Sequence, residues 1–281
     1  MEEKREQKLI DIDGILYAKN PKLFKVIPKF LVSYLKRIIH QDELNSILIE
    51  NTDKKGVDFM NSVMEKFKMT INVNGFENIP TEGKYIFVSN HPLGGMESFA
   101  LTSTIAKKLP KIQLLVNDIL MYVENLKHLF IPINKHGGNS QEYFKNIENA
   151  LLSDNQLYIF PAGMVSRKIK GKIIDLHWKK SFVSMSIKHQ RDVIPVHIDA
   201  RNSNFFYNLA RFRKLLGIKA NFEMLYLADE FVKQKGKTIT LTFGKPIPYT
   251  TFDKSKSQND WAQVVREIVY KLKVKSEESN R

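Results

Sequence analysis

The chain has 281 residues, of which 43% are hydrophobic and 26% charged, and its net charge is +14. This apolar content excludes disorder along the whole length, and the absence of cysteine excludes disulfides, thiolate metal sites and a cysteine nucleophile. The positive charge predicts an acidic partner, which could be nucleic acid, anionic lipid or a phosphorylated substrate. The sequence contains neither a spanning apolar run nor a secretory signal, so we expect a cytoplasmic protein, peripheral on the inner face of the cell membrane.

The first patterned segment, residues 20–39, predicts one amphipathic helix with a basic face. The polar positions Lys22, Lys25, Lys29, Ser33 and Lys36 recur at steps of three and four, and Pro28 is expected to interrupt the helix only mildly. Two interpretations stay open, and they are compatible. The helix is a structural cover packed on the domain, or it lies on an anionic bilayer as an interfacial helix.

Short helical and extended patterns follow in an order that predicts the fold class. Two further helices, at 41–52 and 55–67, complete an N-terminal helical segment over residues 1–68. Strands are predicted at 69–75, 84–89, 111–117, 129–133, 156–160, 192–198 and 237–243. Helices are predicted between or after them at 97–108, 139–152, 178–190, 204–215 and 257–274. This alternation predicts an α/β domain over residues 69–281, with a mostly parallel central sheet flanked by helices.

A histidine turn at residues 89–98 is the most informative motif. The turn reads Ser-Asn-His-Pro-Leu-Gly-Gly-Met-Glu-Ser and begins where a predicted strand ends, which is where open α/β sheets bind ligands. The glycines let the chain double back, so that Glu97 can reach one imidazole nitrogen of His91 and leave the other as a base. The alternative is a structural histidine in a turn, with Glu97 merely favouring the start of a helix.

Three further segments at strand ends, 130–135, 159–167 and 193–197, complete a pattern of four blocks. In this order the blocks resemble the glycerolipid acyltransferase family, which contains the 1-acylglycerol-3-phosphate acyltransferases and related lysolipid acyltransferases. The resemblance covers about residues 70–250, and the His-Pro-Leu-Gly-Gly form is similar to a bacterial branch of that family.

The resemblance implies an enzyme of membrane lipid biosynthesis that moves a fatty acyl group from acyl carrier protein or acyl-CoA to a hydroxyl of a lysolipid. It implies that His91 is the catalytic base and that Glu97 is its carboxylate partner. Candidate substrate-binding residues are Lys135 in the second block, Gly163, Ser166 and Arg167 in or after the third block, and Lys180 beyond it. No metal and no tightly held cofactor is expected.

The blocks also depart from the family pattern. The usual position of the aspartate holds Met96, so the carboxylate comes one residue later, and the usual glutamate and arginine of the third block are missing. A second interpretation is therefore a catalytically weak or inactive acyltransferase-like protein that binds lipid. A basic nucleic-acid-binding module is the third, and because only the net charge supports it we expect no nucleic-acid partner.

The segment 165–191 holds eight Lys and Arg residues against a single acid, Asp175. Two interpretations stay open for this segment: a solvated basic face, or a docking site for a phosphate or for an acidic carrier protein. The headgroup of the lysolipid acceptor also stays open between a phosphate and an amino acid.

Overall fold

The computed structural model describes residues 9–133 and 140–278. Its helices are α1 (Ile12–Lys19), α2 (Pro21–Val26), α3 (Lys29–Ile39), α4 (Gln41–Glu50), α5 (Gly56–Lys66), α6 (Met96–Ala106), α7 (Ser140–Leu152), α8 (Ser181–His189), α9 (Asn204–Leu215), α10 (Leu227–Val232) and α11 (Gln258–Glu278). Its strands are β1 (Thr70–Asn74), β2 (Tyr85–Ser89), β3 (Ile112–Asn117), β4 (Phe130–Ile133), β5 (Gln156–Ile159), β6 (Arg167–Ile169), β7 (Lys172–Ile174), β8 (Asp192–Asp199) and β9 (Thr238–Phe243).

Seven of these strands form one sheet in the order β1-β9-β8-β2-β5-β3-β4. Neighbouring strands are parallel except β8 and β9, which pair antiparallel. Strand β2 lies at the centre, between β5 and β8, so its carboxyl end lies between the carboxyl ends of these two strands. The prediction of a mostly parallel α/β sheet flanked by helices is confirmed, while the separate antiparallel hairpin of β6 and β7 was not predicted.

Helices cover both faces of the sheet, and the alternation of side chains in β2 shows how. Phe87 points into a core shared with α4, α5 and α6, whereas Ile86 and Val88 point into a second core shared with α7, α8 and α11. All three side chains are fully buried. Helices α4 and α5 therefore contribute to the same core as the sheet, and the predicted division at residue 68 falls between α5 and β1.

The prediction of one helix over residues 20–39 is wrong. The chain breaks between α2 and α3 at Pro28, which has no N–H to donate and restricts the residue before it. Helix α3 buries Val32 and Ile38, and Lys36 forms an ion pair with Asp13. None of the helices in the described ranges combines the length and hydropathy that a bilayer span requires.

Candidate active site

The histidine turn begins where β2 ends, and it is anchored to the neighbouring strand β8. The side chain of Asn90 donates from Nδ2 to the carbonyl of Ile198 and accepts from its N–H, each at 2.8 Å. Gly94 has φ +93°, in the region that favours glycine, and a Cβ there would lie 2.9 Å from side-chain atoms of both Leu227 and Val165. The glycine thus lets the chain reverse in a crowded space, after which α6 begins.

This reversal brings Glu97 back to His91. Nδ1 of His91 lies 2.9 Å from Oε1 of Glu97, and the Glu97 side chain is completely buried. The carboxylate also accepts three backbone hydrogen bonds from the turn: Oε1 from Leu93 at 2.9 Å and Gly94 at 2.8 Å, and Oε2 from Gly95 at 2.7 Å. The turn is therefore folded around its own carboxylate.

The protonation of this pair follows from those contacts. Burial would raise the pKa of Glu97, but the charge of His91 and hydrogen bonds from the imidazole and from two backbone amides outweigh it and lower the pKa below its ordinary value. An ionised Glu97 accepts from Nδ1–H of His91, which fixes the tautomer that has its lone pair on Nε2. Across the described residues, Nε2 has no hydrogen-bond partner, and the imidazole is 16% exposed.

Phe160 supports the imidazole from the end of the adjacent strand. The Phe160 and His91 rings stack with centroids 3.7 Å apart and planes tilted by 27°. Strand β5 pairs in parallel with β2, so the two strand ends bring these rings together. The stacking and the Glu97 hydrogen bond together hold the imidazole in one orientation.

A second buried carboxylate, Asp175, holds the backbone of the turn. Asp175 Oδ1 accepts from the N–H of His91 at 3.1 Å and from the hydroxyl of Ser166 at 2.5 Å, and Oδ2 accepts from Nε1 of Trp178 at 2.9 Å. Burial raises the pKa of Asp175, and these hydrogen bonds oppose that shift. The N–H of Ser166 also donates to the carbonyl of His91 at 2.7 Å. Both backbone groups of His91 are thereby tied to the segment after β5.

Sequence reasoning did not assign Asp175 to the site, although a signal was present. Asp175 is the one acid in the basic segment 165–191, and an acid isolated in that way needs a local reason. The structure supplies the reason, because this carboxylate lies beneath the histidine turn and is 1% exposed.

The other predicted site residues are spread around the turn after β5. Gly163 has φ +64°, and a Cβ there would lie 3.3 Å from Nζ of Lys179. Lys179 also donates its backbone N–H to the carbonyl of Pro161 at 3.0 Å. Lys180, the predicted cation, is exposed and immediately precedes α8. Lys179 is exposed as well, and of the two lysines it is the one whose ammonium lies near Gly163.

Arg167 and Lys135 complete the predicted set. The guanidinium of Arg167 is mostly buried, pairs with Glu223 at 3.0 Å and donates to the carbonyl of Val165 at 2.7 Å. These partners already occupy Arg167, which gives it a role in joining β6 to the segment after α9. Lys135 lies outside the described residues. No group of three or more His, Asp or Glu side chains able to hold a metal occurs in the described residues.

Comparison with known proteins places this site in a family. An acyltransferase family model matches residues 14–278. The chain is 54% identical to a lyso-glycine lipid O-acyltransferase of Bacteroides thetaiotaomicron over 265 residues, which cover 94% of this chain and 97% of that relative. It is 52% identical to a protein of the same name from Phocaeicola vulgatus, with 94% and 95% covered.

A solved structure is also similar. The 1-acyl-sn-glycerophosphate acyltransferase of Thermotoga maritima aligns with a TM-score of 0.45 and 17% identity, over 87% of this chain and 92% of that one. The family model and the two close relatives together cover nearly the whole chain. The chain belongs to the acyltransferase family and is an acyltransferase.

Proposed function

We propose that the protein transfers a fatty acyl group from a thioester to the hydroxyl of a lysolipid that carries a glycine headgroup. The contact between His91 and Glu97 is the observation that carries the proposal, because it supplies an oriented base at the carboxyl end of the central strand. The choice of acceptor draws on the names of the two relatives, which share more than half of their residues with this chain.

In the proposed mechanism, His91 Nε2 takes the proton of the acceptor hydroxyl as the oxygen attacks the thioester carbonyl carbon. The C–O bond forms, the tetrahedral intermediate collapses with cleavage of the C–S bond, and the thiolate leaves with the proton from the imidazolium. Glu97 keeps the imidazole oriented and stabilises the imidazolium by its charge. General-base assistance of this type contributes about 10²–10⁴-fold to the rate.

The shifted carboxylate is compatible with this chemistry. Glu97 stands one residue after the family's usual position, yet the turn brings it to 2.9 Å from Nδ1. The longer side chain also receives three backbone hydrogen bonds and lies fully out of solvent. These contacts favour an active enzyme over the catalytically inactive alternative.

Lys179 is our candidate for the cation that binds the acceptor headgroup. A glycine linked to its lipid through nitrogen presents a carboxylate, which an ammonium can bind as a point charge. Lys179 lies over the turn that follows Phe160, and Phe160 is the residue stacked on His91, so the structure links this lysine to the proposed base through that turn. The acyl donor is acyl carrier protein or acyl-CoA.

The membrane contact that we propose involves α2 and α3. Val26 and Phe30, at the break between the two helices, are 73% and 76% exposed. Lys22, Lys25 and Lys29 flank these apolar residues and are exposed, whereas Lys36 is already paired with Asp13. Basic residues beside exposed apolar ones suit adsorption to an anionic inner membrane surface.

The test is a reconstituted transfer assay. Purified protein is given lyso-glycine lipid or lysophosphatidic acid, with acyl carrier protein or acyl-CoA as donor in separate arms, and the diacylated product is measured by mass spectrometry. We expect transfer to the glycine lipid and a preference for one donor. Transfer to lysophosphatidic acid alone would reject the glycine headgroup, and transfer to neither acceptor would reject the function.

A matched pair of variants tests the headgroup cation. Lys179→Ala should raise the KM for the acceptor, whereas Lys180→Ala, a change of the same charge at the next residue, should leave it near the wild-type value. Equal effects of both variants would indicate a general electrostatic contribution of the basic segment and would remove Lys179 from headgroup binding.

A further inference from the structure

The C-terminal end of α9 and the turn after it, residues 211–219, expose an unusual density of apolar side chains. We call this segment the α9 tip. Phe212, Leu215, Leu216 and Ile218 are all exposed, and Leu215 reaches 82%. Single exposed apolar residues need no explanation, but four within seven positions form a patch of the kind that marks an interaction site.

The α9 tip is held in this arrangement by a well-formed helix end. Gly217 has φ +67°, the N–H of Ile218 donates to the carbonyl of Arg213, and the N–H of Gly217 donates to that of Lys214, each at 3.1 Å. This is a Schellman motif. Nε of Arg213 also lies 2.8 Å from the fully buried Glu223. The apolar side chains are thus projected outward by an anchored turn.

The exposed charges of the tip are all positive. Residues 200–222 contain five Lys and Arg residues and no Asp or Glu. Three of these cations, Arg211, Lys214 and Lys219, are exposed within the tip and alternate with its apolar residues. Such a surface complements a partner that has an anionic face and an apolar interior, as an anionic bilayer has.

The element that follows the tip in the chain contacts α3, one of the proposed lipid-contacting helices. The 3-10 helix Phe222–Tyr226 follows the tip in the chain and includes Glu223, which anchors it. At the end of that helix, the hydroxyl of Tyr226 is hydrogen-bonded to that of Tyr34 on α3, and its ring lies 5.0 Å from that of the exposed Phe205. The tip and α3 therefore border one short element.

We infer that the α9 tip is a second membrane-docking surface, which inserts its leucines into the interfacial region of an anionic bilayer while its cations contact lipid headgroups. The inference rests on the proposed function, because it assumes that the lipid acceptor is held in a membrane. Aliphatic side chains favour lipid over nucleic acid, and an acidic carrier protein is the rival partner that the experiment separates.

The test compares two double variants that each replace a pair of exposed aliphatic residues. Leu215→Ser with Leu216→Ser alters the tip, and Ile49→Ser with Leu152→Ser alters α4 and α7 at positions that are 55% and 66% exposed. Binding is measured by sedimentation with vesicles of phosphatidylcholine and phosphatidylglycerol in equal parts, and with vesicles of phosphatidylcholine alone.

We expect the tip variant to lose about tenfold or more in binding to the anionic vesicles, whereas the control variant binds like the wild type. Wild-type binding should weaken as salt is added and should be weaker to phosphatidylcholine alone. Equal binding by all three proteins would overturn the inference.

A kinetic measurement separates the remaining outcomes. Transfer to a soluble short-chain lysolipid from acyl-CoA should be unchanged in the tip variant. If vesicle binding is unchanged and only transfer from acyl carrier protein falls, the tip docks the carrier and the inference is overturned. Absence of transfer by the wild type would reject the proposed function and leave the vesicle result to decide on the tip.

Discussion

Replacing Glu97 by glutamine removes one charge from the site with little change in shape. With its carbonyl at the position of Oε1, glutamine can still accept from Nδ1 of His91 and from two backbone amides. Its NH₂ group then faces the N–H of Gly95, which Oε2 accepts at 2.7 Å in the wild type. One buried hydrogen bond is lost and the others lose their charge assistance, so the free energy of unfolding should fall by roughly 2–4 kcal/mol.

The kinetic effect should exceed the effect on binding. Without the carboxylate charge the imidazolium is no longer stabilised when the base takes the proton, so we expect kcat to fall by about 10²–10⁴-fold. The KM for the acceptor should change little, because orientation and charge act mainly in the transition state. The assay is steady-state transfer to lyso-glycine lipid, with circular dichroism as the test of folding. A folded variant whose kcat stays near the wild-type value would refute the reasoning.

The same pair of proteins gives a pH test, because glutamine imitates a protonated Glu97. The pKa of Glu97 is lowered in the folded protein, so its charged form contributes stability above the ordinary value of 4.5. That contribution should be complete at neutral pH and should be lost as the pH falls through the lower, native pKa. Denaturant titrations at several pH values measure it. If the difference in free energy of unfolding between the two proteins disappears above pH 4.5, the direction of the pKa shift of Glu97 is contradicted.

Three further changes test other parts of the account. Asp175→Asn should lower kcat more than it raises KM, since Asp175 positions the backbone of His91, and a change in KM alone would assign it to substrate binding. Gly94→Ala should lower the free energy of unfolding by about 1–2 kcal/mol, because φ is +93° at this residue and a Cβ would press on Leu227. Thermal unfolding measures the change, and an unchanged midpoint would contradict the described conformation of the turn. Burial lowers the pKa of His197 from 6.5 to about 4, so the free energy of unfolding should fall by about 3 kcal/mol as the pH drops between these values. In His197→Gln the free energy of unfolding should depend less on pH over this range, and an equal pH dependence in both proteins would contradict the prediction.

The positions of the sheet strands could be predicted from the sequence because the sheet is buried on both faces. Segments such as 84–89 and 192–198 are short, apolar and bounded by polar residues, and they correspond to β2 and β8. The direction of pairing could not be predicted in the same way. The antiparallel pairing of β9 with β8 depends on how the chain returns after α10, which no local pattern records.

The geometry of the histidine turn was accessible for a related reason. Two adjacent glycines between a histidine and a carboxylate permit a reversal within a few residues, so a contact between His91 and Glu97 was one of two interpretations that the spacing left open. The contact with Asp175 could not be predicted, because its carboxylate is separated from His91 by 84 positions in the chain. Its isolation in a basic segment marks it as unusual, but that pattern does not point to His91 as its partner.

Arg167 shows another limit of local reasoning. An arginine after a strand end resembles an anion-binding residue until its partner is known, and that partner, Glu223, lies 56 positions further along the chain. The two are brought together by the packing of the β6–β7 hairpin against α9 and the segment that follows. Similarly, the break at Pro28 was underestimated because the helical periodicity continues across it.

The central claim is that His91 acts as the base. His91→Ala removes the imidazole but keeps the backbone N–H and carbonyl that bind Asp175 and Ser166, so the turn should remain folded. The measurement is the rate of acyl transfer to lyso-glycine lipid by the purified variant at saturating donor, beside its thermal midpoint. The account predicts a loss of about 10²–10⁴-fold in kcat in a protein that remains folded, with a lower thermal midpoint because Glu97 loses a hydrogen-bond donor and Phe160 loses its stacking partner. A folded His91→Ala protein that transfers acyl groups at the wild-type rate would contradict it.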